Sequence, residues 1–356
     1  MKKTNGKTEK YYGYQTELAI NNFPFDSYPR VDLDFIYAIC DIKEAAAMGH
    51  KATGEMKAEI ANAIISACRE LREGEFNGQF VLPALQGGAG TSIHMNVNEV
   101  IAGRATEVIK QKGGSASVNP NDDVNLGQST NDVGPSALKI ASIRFVRELI
   151  KTLDFAAGAF GKKAAEFKDV PKLGRTHLQD AVPTTLGEEF SSYSETIKRG
   201  KNRLEGVLPY LYELNLGGTA IGNSINASAK YIREDYISLR QVSGISALKP
   251  AKNLMSQTSG QSDFLMLAQT LTSITLDFSK IANDLRLLSS GPSGGVGEIK
   301  LKGLQPGSSI MPGKVNPVMP ETVNQLYFLV SGNSLAVEHA VHAAQLELGV
   351  MVPIIA

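Results

Sequence analysis

Residues 307–317 read Gly-Ser-Ser-Ile-Met-Pro-Gly-Lys-Val-Asn-Pro, with Glu321 four residues further on, just ahead of a long helical pattern. Two serines, a lysine and an asparagine among glycines and prolines are loop chemistry, not core. Glycine opens backbone conformations closed to other residues, and Pro317 ends regular structure before the next helix. Backbone N–H groups left free in such a turn, with the Lys314 ammonium beside them, make a site for negative charge. A Walker A loop is excluded by spacing: five residues separate Gly307 from Gly313-Lys314 where four are needed, and Val315 follows instead of Ser or Thr. An ordinary connecting loop is the plain alternative.

Three more polar clusters stand at the mouths of helical patterns. In Gly-Gly-Ala-Gly-Thr-Ser, residues 87–92, a dinucleotide fingerprint counted from Gly88 would need glycine at 93, where Ile93 stands. The loop still runs into a helical pattern over 95–111, whose N-terminus could hold an anion; a loop that merely lets elements pack is the alternative. Gly-Gln-Ser-Thr-Asn-Asp, residues 127–132, precedes Pro135 and a helical pattern to about 167. Capping explains one or two of these residues but does not need four. Gly-Arg-Thr-His-Leu-Gln-Asp, residues 174–180, precedes Pro183 and a helix over roughly 185–207. A lone histidine such as His177 is more often a structural group than a catalytic one, but the recurrence of such clusters argues for one shared cleft.

Long helices must position these clusters. Apolar steps predict helices over 32–51 and 55–74, the second carrying Ile60, Ile64, Ile65 and Cys68. Phe264, Leu267, Leu271, Ile274, Phe278, Ile281, Leu285 and Leu288 form a heptad-like seam, and Leu186, Phe190, Tyr193, Ile197 and Leu204 a second. Helices of this kind, with others starting near Pro135 and Met319, build bundles that set polar groups around a cleft. Their length suggests packing between subunits, a large monomeric bundle being the alternative.

A chain of 356 residues can bury a sizeable core in one large domain or two to three smaller ones. Lys+Arg and Asp+Glu both total 36, so no broad field of either sign favours nucleic acid or a membrane surface. Cys40 and Cys68 form no CxxC, which points to a reducing cytoplasm and against a disulfide or zinc framework. His339 and His342 lack an evident set of companion ligands and read as a solvated or interface pair, so no residues are assigned to a metal, and no cofactor is assigned. Residues 1–13 are polar and read as a frayed terminus without a signal core; no apolar run reaches membrane-spanning length.

Residues 307–316 match in full the pattern Gly-Ser-Ser-x-Met-Pro-x-Lys-x-Asn, and with it the chain resembles the aspartase/fumarase superfamily of homotetrameric lyases. Two further regions look alike: Gly90-Thr91 leading into Met95-Asn96-Val97-Asn98-Glu99, and Gly174-Arg175-Thr176-His177 leading into Asp180-Ala181-Val182-Pro183. The resemblance runs from Tyr11-Tyr12-Gly13 to the end. Its wording at 87–92, 128–133 and 178–183 is closer to the branch that eliminates ammonia from aspartate than to the fumarate hydratases.

The resemblance implies an all-α fold: a small N-terminal domain over 1–126, then a long-helix domain over 127–356 that forms the central bundle of a homotetramer, with the family's C-terminal domain absent. Each active site would draw its clusters from three subunits and take a small dicarboxylate. Removing a proton beside the β-carboxylate of aspartate creates an aci-carboxylate with two charges on one group, which fixed donors must stabilise, each by roughly 3 kcal/mol. Thr91, Ser129, Thr130, Asn131, Thr176, Lys314 and Asn316 fall at the family's substrate-binding positions. Ser308 falls at the catalytic base, needing loop N–H groups and Lys314 to hold its alkoxide. His177 would bond substrate, oriented by Glu321.

Three departures stand out: His94 where asparagine is expected, Ser293 where arginine is usual, and Gly222-Asn223-Ser224-Ile225-Asn226 where relatives read Gly-Thr-Gly-Leu-Asn. The apolar end at Pro353-Ile354-Ile355-Ala356 reads as a truncation. A fumarate hydratase, or a non-catalytic structural homologue, is the alternative function.

Overall fold

The computed structural model of the chain describes residues 3–4, 7–8, 10–25 and 27–356. The frayed-terminus expectation falls in part on residues 1, 2, 5, 6 and 9, outside those described. In chain order the elements are β1 (Lys3–Thr4), β2 (Lys7–Thr8), α1 (Tyr14–Asn22), α2 (Leu33–Thr53), α3 (Ala58–Arg72) and α4 (Thr91–Gln111). Then come α5 (Thr130–Glu166), β3 (Pro171–Thr176), β4 (Gln179–Thr185), α6 (Leu186–Glu205), α7 (Leu208–Leu211), β5 (Glu213–Leu214) and α8 (Ala229–Ser243). The chain closes with β6 (Lys249–Pro250), α9 (Leu254–Ser259), α10 (Ser262–Leu288), α11 (Val318–His342) and α12 (Val352–Ile355). The fold is helical, as the periodicity predicts; among the described residues the strands pair two by two. Among the described residues no helix is long and apolar enough to cross a membrane.

Two compact units divide the chain: Met1–Phe145, Pro209–Phe264 and Ala336–Ala356 in one, Val146–Leu208 and Leu265–Leu335 in the other. In the first, α2 is the central helix, packed by α3, α4 and α8. Asp32 starts it by accepting from Asp34 N at 2.8 Å, and Gly54 stops it in the left-handed conformation that glycine adopts without a Cβ penalty. Because α2 is covered on nearly every side, Asp41, Lys43, Glu44 and His50 are buried in it too. Asp41 pairs with Arg72 and Arg144, and Glu44 with Arg69 and Arg72. A cap supplied from far along the chain seats α1: the Glu99 carboxylate accepts from Gly13 N, Gln15 N and Thr16 N at 2.8, 2.8 and 3.1 Å. That contact is the physical content of the Tyr-Tyr-Gly and Asn-Glu wording seen in the sequence. Helix α4 begins at Thr91 rather than at 95, because Gly90 takes a left-handed φ of 87° and lets the helix start directly from the glycine loop.

Pro135 lies inside α5, one turn from its start. The carbonyl of Asn131, four residues earlier, loses the N–H it would otherwise receive and accepts instead from Asn215 Nδ2 at 2.9 Å. The turn at 222–226 carries a cost: Ser224 has φ 60°, in the left-handed region that favours glycine.

In the second unit the seam of α6 is buried as expected, with Leu186, Phe190, Tyr193, Ile197 and Leu204 all at most 7% exposed. Phe190 meets Phe167 edge-on at 5.4 Å, and Tyr193 meets Phe160 at 5.8 Å. None of the eight seam residues of α10 is exposed. Asn324 of α11 is buried and donates to Ser279 O and Ser279 Oγ, while its Oδ1 accepts from Arg286. The helix-mouth reading of 174–180 needs correction: β3 and β4 form an antiparallel hairpin, with Thr176 paired to Gln179 across a two-residue turn.

Candidate active-site clusters

Within the first unit, the loop from Gly88 to Gly90 carries three successive left-handed residues, including Ala89 at φ 57°. It delivers Thr91 exposed at the start of α4. The second cluster is held from beneath. Ser129 N donates to Asp132 Oδ1 at 2.9 Å, and Asp132 Oδ2 accepts from Gly217 N and Thr219 N at 3.2 and 2.9 Å. Lys43 Nζ, fully buried on α2, donates to Asn125 Oδ1 and Gln128 Oε1 at 2.8 and 3.0 Å. Burial raises the Asp132 carboxyl to about 6 against its three N–H bonds and Lys43. Burial likewise lowers the Lys43 ammonium to about 7, with Asp132 opposing.

Of the expected donors here, Ser129 Oγ accepts from Asn131 N at 3.2 Å and keeps its own proton to donate. Asn131 Nδ2 is engaged with Ala220 O at 2.8 Å, so this side chain also pins the loop. Thr130 Oγ1 lies 2.8 Å from His94 Nδ1. The sequence pattern marks Asp132 only as a member of the 127–132 cluster, and Lys43 not at all. A trace of Lys43 is there all the same, since a lysine among the apolar residues of a helix must find a buried partner.

Within the second unit, the hairpin presents Thr176 and His177 exposed at its tip. His177 and Leu178 both take positive φ, 55° and 60°, the geometry of a type I′ turn normally filled by Asn-Gly. Non-glycine residues there cost roughly 1–3 kcal/mol each, and such strain concentrates at functional sites. Among the described residues no hydrogen bond joins His177 to Glu321, which stands in the first turn of α11. Ion pairs along β3 tie the hairpin down instead. Glu298 lies within 2.8 Å of Lys172 Nζ and 2.6 Å of Arg175 Nη2, and Lys172 also binds Glu189 of α6 at 2.8 Å. Glu298 N is itself fixed to Leu288 O, at the end of α10, by a 2.9 Å bond. Glu298→Gln is therefore expected to speed amide hydrogen exchange over 171–185 by roughly tenfold or more, since both of its ion pairs lose their charge. The interior of α6 should exchange as before, and an unchanged hairpin would show that the carboxylate does not hold it.

The loop over 307–316 closes on itself. Gly307 N donates to Lys314 O at 3.0 Å and Asn316 Nδ2 to Gly307 O at 2.8 Å, so Asn316 is also a pin. A Cβ on residue 307 would lie 2.4 Å from Lys314 O, which is why glycine stands there. Ser308 Oγ is half-buried and accepts from Ile310 N and Met311 N, both at 3.2 Å. Lys314 is exposed and makes no ion pair among the described residues. The arrangement can hold negative charge on the serine oxygen and, through the ammonium, on a ligand.

Comparison with known proteins gives this geometry a family. The model of a family described as Lyase matches residues 2–332. An aspartate ammonia-lyase of Bacillus sp is 44% identical over 348 residues, which is 98% of this chain and 74% of that protein. The Escherichia coli K12 aspartate ammonia-lyase is 44% identical over 350 residues, 98% and 73% of the two chains. Among solved structures, a fumarate lyase:delta crystallin from Brucella melitensis bound to cobalt superposes with a TM-score of 0.92 at 44% identity, covering 98% of this chain and 76% of that one. A class II fumarase from Schistosoma mansoni gives 0.94 at 35% identity over the same shares. The chain belongs to the lyase family of the aspartase/fumarase superfamily.

Proposed function

We propose that the chain eliminates ammonia from L-aspartate to give fumarate, with Ser308 as the base. The observation that carries this reading is the pair of backbone N–H groups, of Ile310 and Met311, aimed at Ser308 Oγ inside a loop locked by Gly307 and Asn316. A serine alkoxide is a competent base only where fixed dipoles hold its charge. It takes the proton from the carbon beside the β-carboxylate, whose electron pair spreads into that carboxylate as the aci-form. The pair then returns to form the double bond as the C–N bond breaks, and ammonia leaves. Lys314 faces a carboxylate of the substrate; Thr91, Ser129, Thr130 and Thr176 supply hydroxyl donors, and His177 bonds substrate with Glu321 orienting it.

Assembly as a homotetramer belongs to the same reading. Phe155, Phe328, Leu329 and Leu335 on the long helices are between 53% and 80% exposed in a single chain, apolar surface that neighbouring copies would cover. It would also bring His177 of one copy to Glu321 of another. The test follows ultraviolet absorbance of fumarate while the purified chain is offered L-aspartate and L-malate separately. Fumarate from aspartate alone is expected. Fumarate from malate alone would make the chain a hydratase, and silence toward both would remove either activity.

A further inference from the structure

We infer that His94 is a positioning residue that makes Thr130 a hydrogen-bond donor toward a substrate carboxylate, by holding its imidazole in the tautomer protonated at Nδ1. The inference deepens the reading of Thr130 as a substrate-binding group and rests on it. His94 is 2% exposed on α4, with Nδ1 2.8 Å from Thr130 Oγ1, while Nε2 is buried and has no hydrogen-bond partner. The ring lines a small cavity whose other walls include Phe35, Ile39, Ile93 and Val352, surroundings that offer a bridging water few polar partners. Burial first, and the nearby Lys43 charge second, hold the imidazole well below its usual value, so the ring carries one proton.

That proton has two places to sit, with different consequences for Thr130. On Nε2 it would be an orphaned buried N–H, and Nδ1 would accept from the Thr130 hydroxyl. Thr130 would then turn only lone pairs toward solvent and repel a carboxylate. On Nδ1 it donates to Thr130 Oγ1, and the atom left without a partner is an acceptor, the less costly orphan. The Thr130 proton is then free to point outward. The neighbour of a tautomeric ring thus decides which way a hydroxyl donates.

Three variants of the full chain test this: His94→Leu, which removes the donor and keeps the bulk; His94→Asn, whose amide N–H can replace Nδ1–H; and Thr130→Val. Affinity for succinate, a four-carbon dicarboxylate with no leaving group, is measured by calorimetry alongside KM and kcat for aspartate. His94→Leu is expected to weaken succinate and raise KM roughly tenfold with kcat little changed, since one hydrogen bond to a charged group is lost. His94→Asn should restore both within about threefold. In the Thr130→Val background, His94→Leu should have no further effect, because both act through one hydroxyl. Effects that add, or a succinate affinity indifferent to His94→Leu, would overturn the inference while leaving the aspartate reading intact. A wild-type chain that binds succinate but leaves aspartate unconverted would overturn the aspartate reading alone, with the affinity cycle still deciding the role of His94. A chain that binds no dicarboxylate would overturn both.

Discussion

Ser308→Ala is expected to lower kcat for aspartate by roughly 10³-fold or more, the scale of losing a positioned general base, while affinity for succinate stays within about threefold. The separation of the two effects follows from the loop. Its closure rests on Gly307 N to Lys314 O and Asn316 Nδ2 to Gly307 O, neither of which uses the serine side chain. Removing Oγ deprives Ile310 N and Met311 N of their acceptor, but both residues are exposed, and water can take its place at little cost. The Lys314 ammonium remains available to a carboxylate. Stopped-flow absorbance with excess enzyme, together with calorimetric titration of succinate, reads the two quantities separately. Residual turnover within tenfold of the parent would take Ser308 out of the base role, and a parallel loss of succinate affinity would mean that the substitution had unmade the loop.

How far such sites can be read from sequence depends on the range of the interactions that build them. Helices α2, α3, α6 and α10 were legible because their apolar residues recur at helical steps and every residue of those seams turns inward or half inward. Thr185 was visible at the start of α6, where it forms a full capping box with Glu188. The hairpin over 171–185 was not legible. Its strands are short and polar, and its turn lacks the Asn-Gly signal, the His177-Leu178 pair being held in left-handed geometry against its own preference. The glycine loop before α4 is legible, but the helix starts at Thr91, four residues ahead of the expected 95, because Gly90 works as a left-handed entry. Least legible were partners far apart in sequence. Glu99 reaches Gly13 from 86 residues away, and Lys43 reaches Gln128 from 85. No local pattern announces such a pair; a charge placed among apolar helix residues is the only trace it leaves. The candidate site residues stand out for a related reason: they lie in glycine loops, at helix starts or in a hairpin turn, where neither periodicity nor capping accounts for all the polar residues.

Asp132→Ala is expected to destabilise the chain by about 3–5 kcal/mol, the cost of leaving three buried backbone N–H groups without an acceptor, and to weaken succinate binding with it. The carboxylate collects three backbone N–H groups, from Ser129, Gly217 and Thr219, in a fully buried position. Each would be left without an acceptor, and Lys43 would lose a countercharge inside the same core. The loop carrying Ser129 and Thr130 would be released from the 217–219 turn, so the donors would no longer converge. Asp132→Asn is the finer probe, because its amide oxygen can still accept while the charge is gone. Burial sets the folded carboxyl near 6, above the ordinary 3.8 of an unfolded chain. The folded state therefore binds the proton more tightly, and this group's contribution is fully present below pH 3.8 and lost as pH rises through 6. Urea unfolding from pH 4 to 7 should accordingly show the parent losing stability relative to Asp132→Asn as pH rises. Parallel curves for the two proteins would mean that Asp132 is no harder to ionise in the fold than in water, and that its three N–H bonds fully offset its burial.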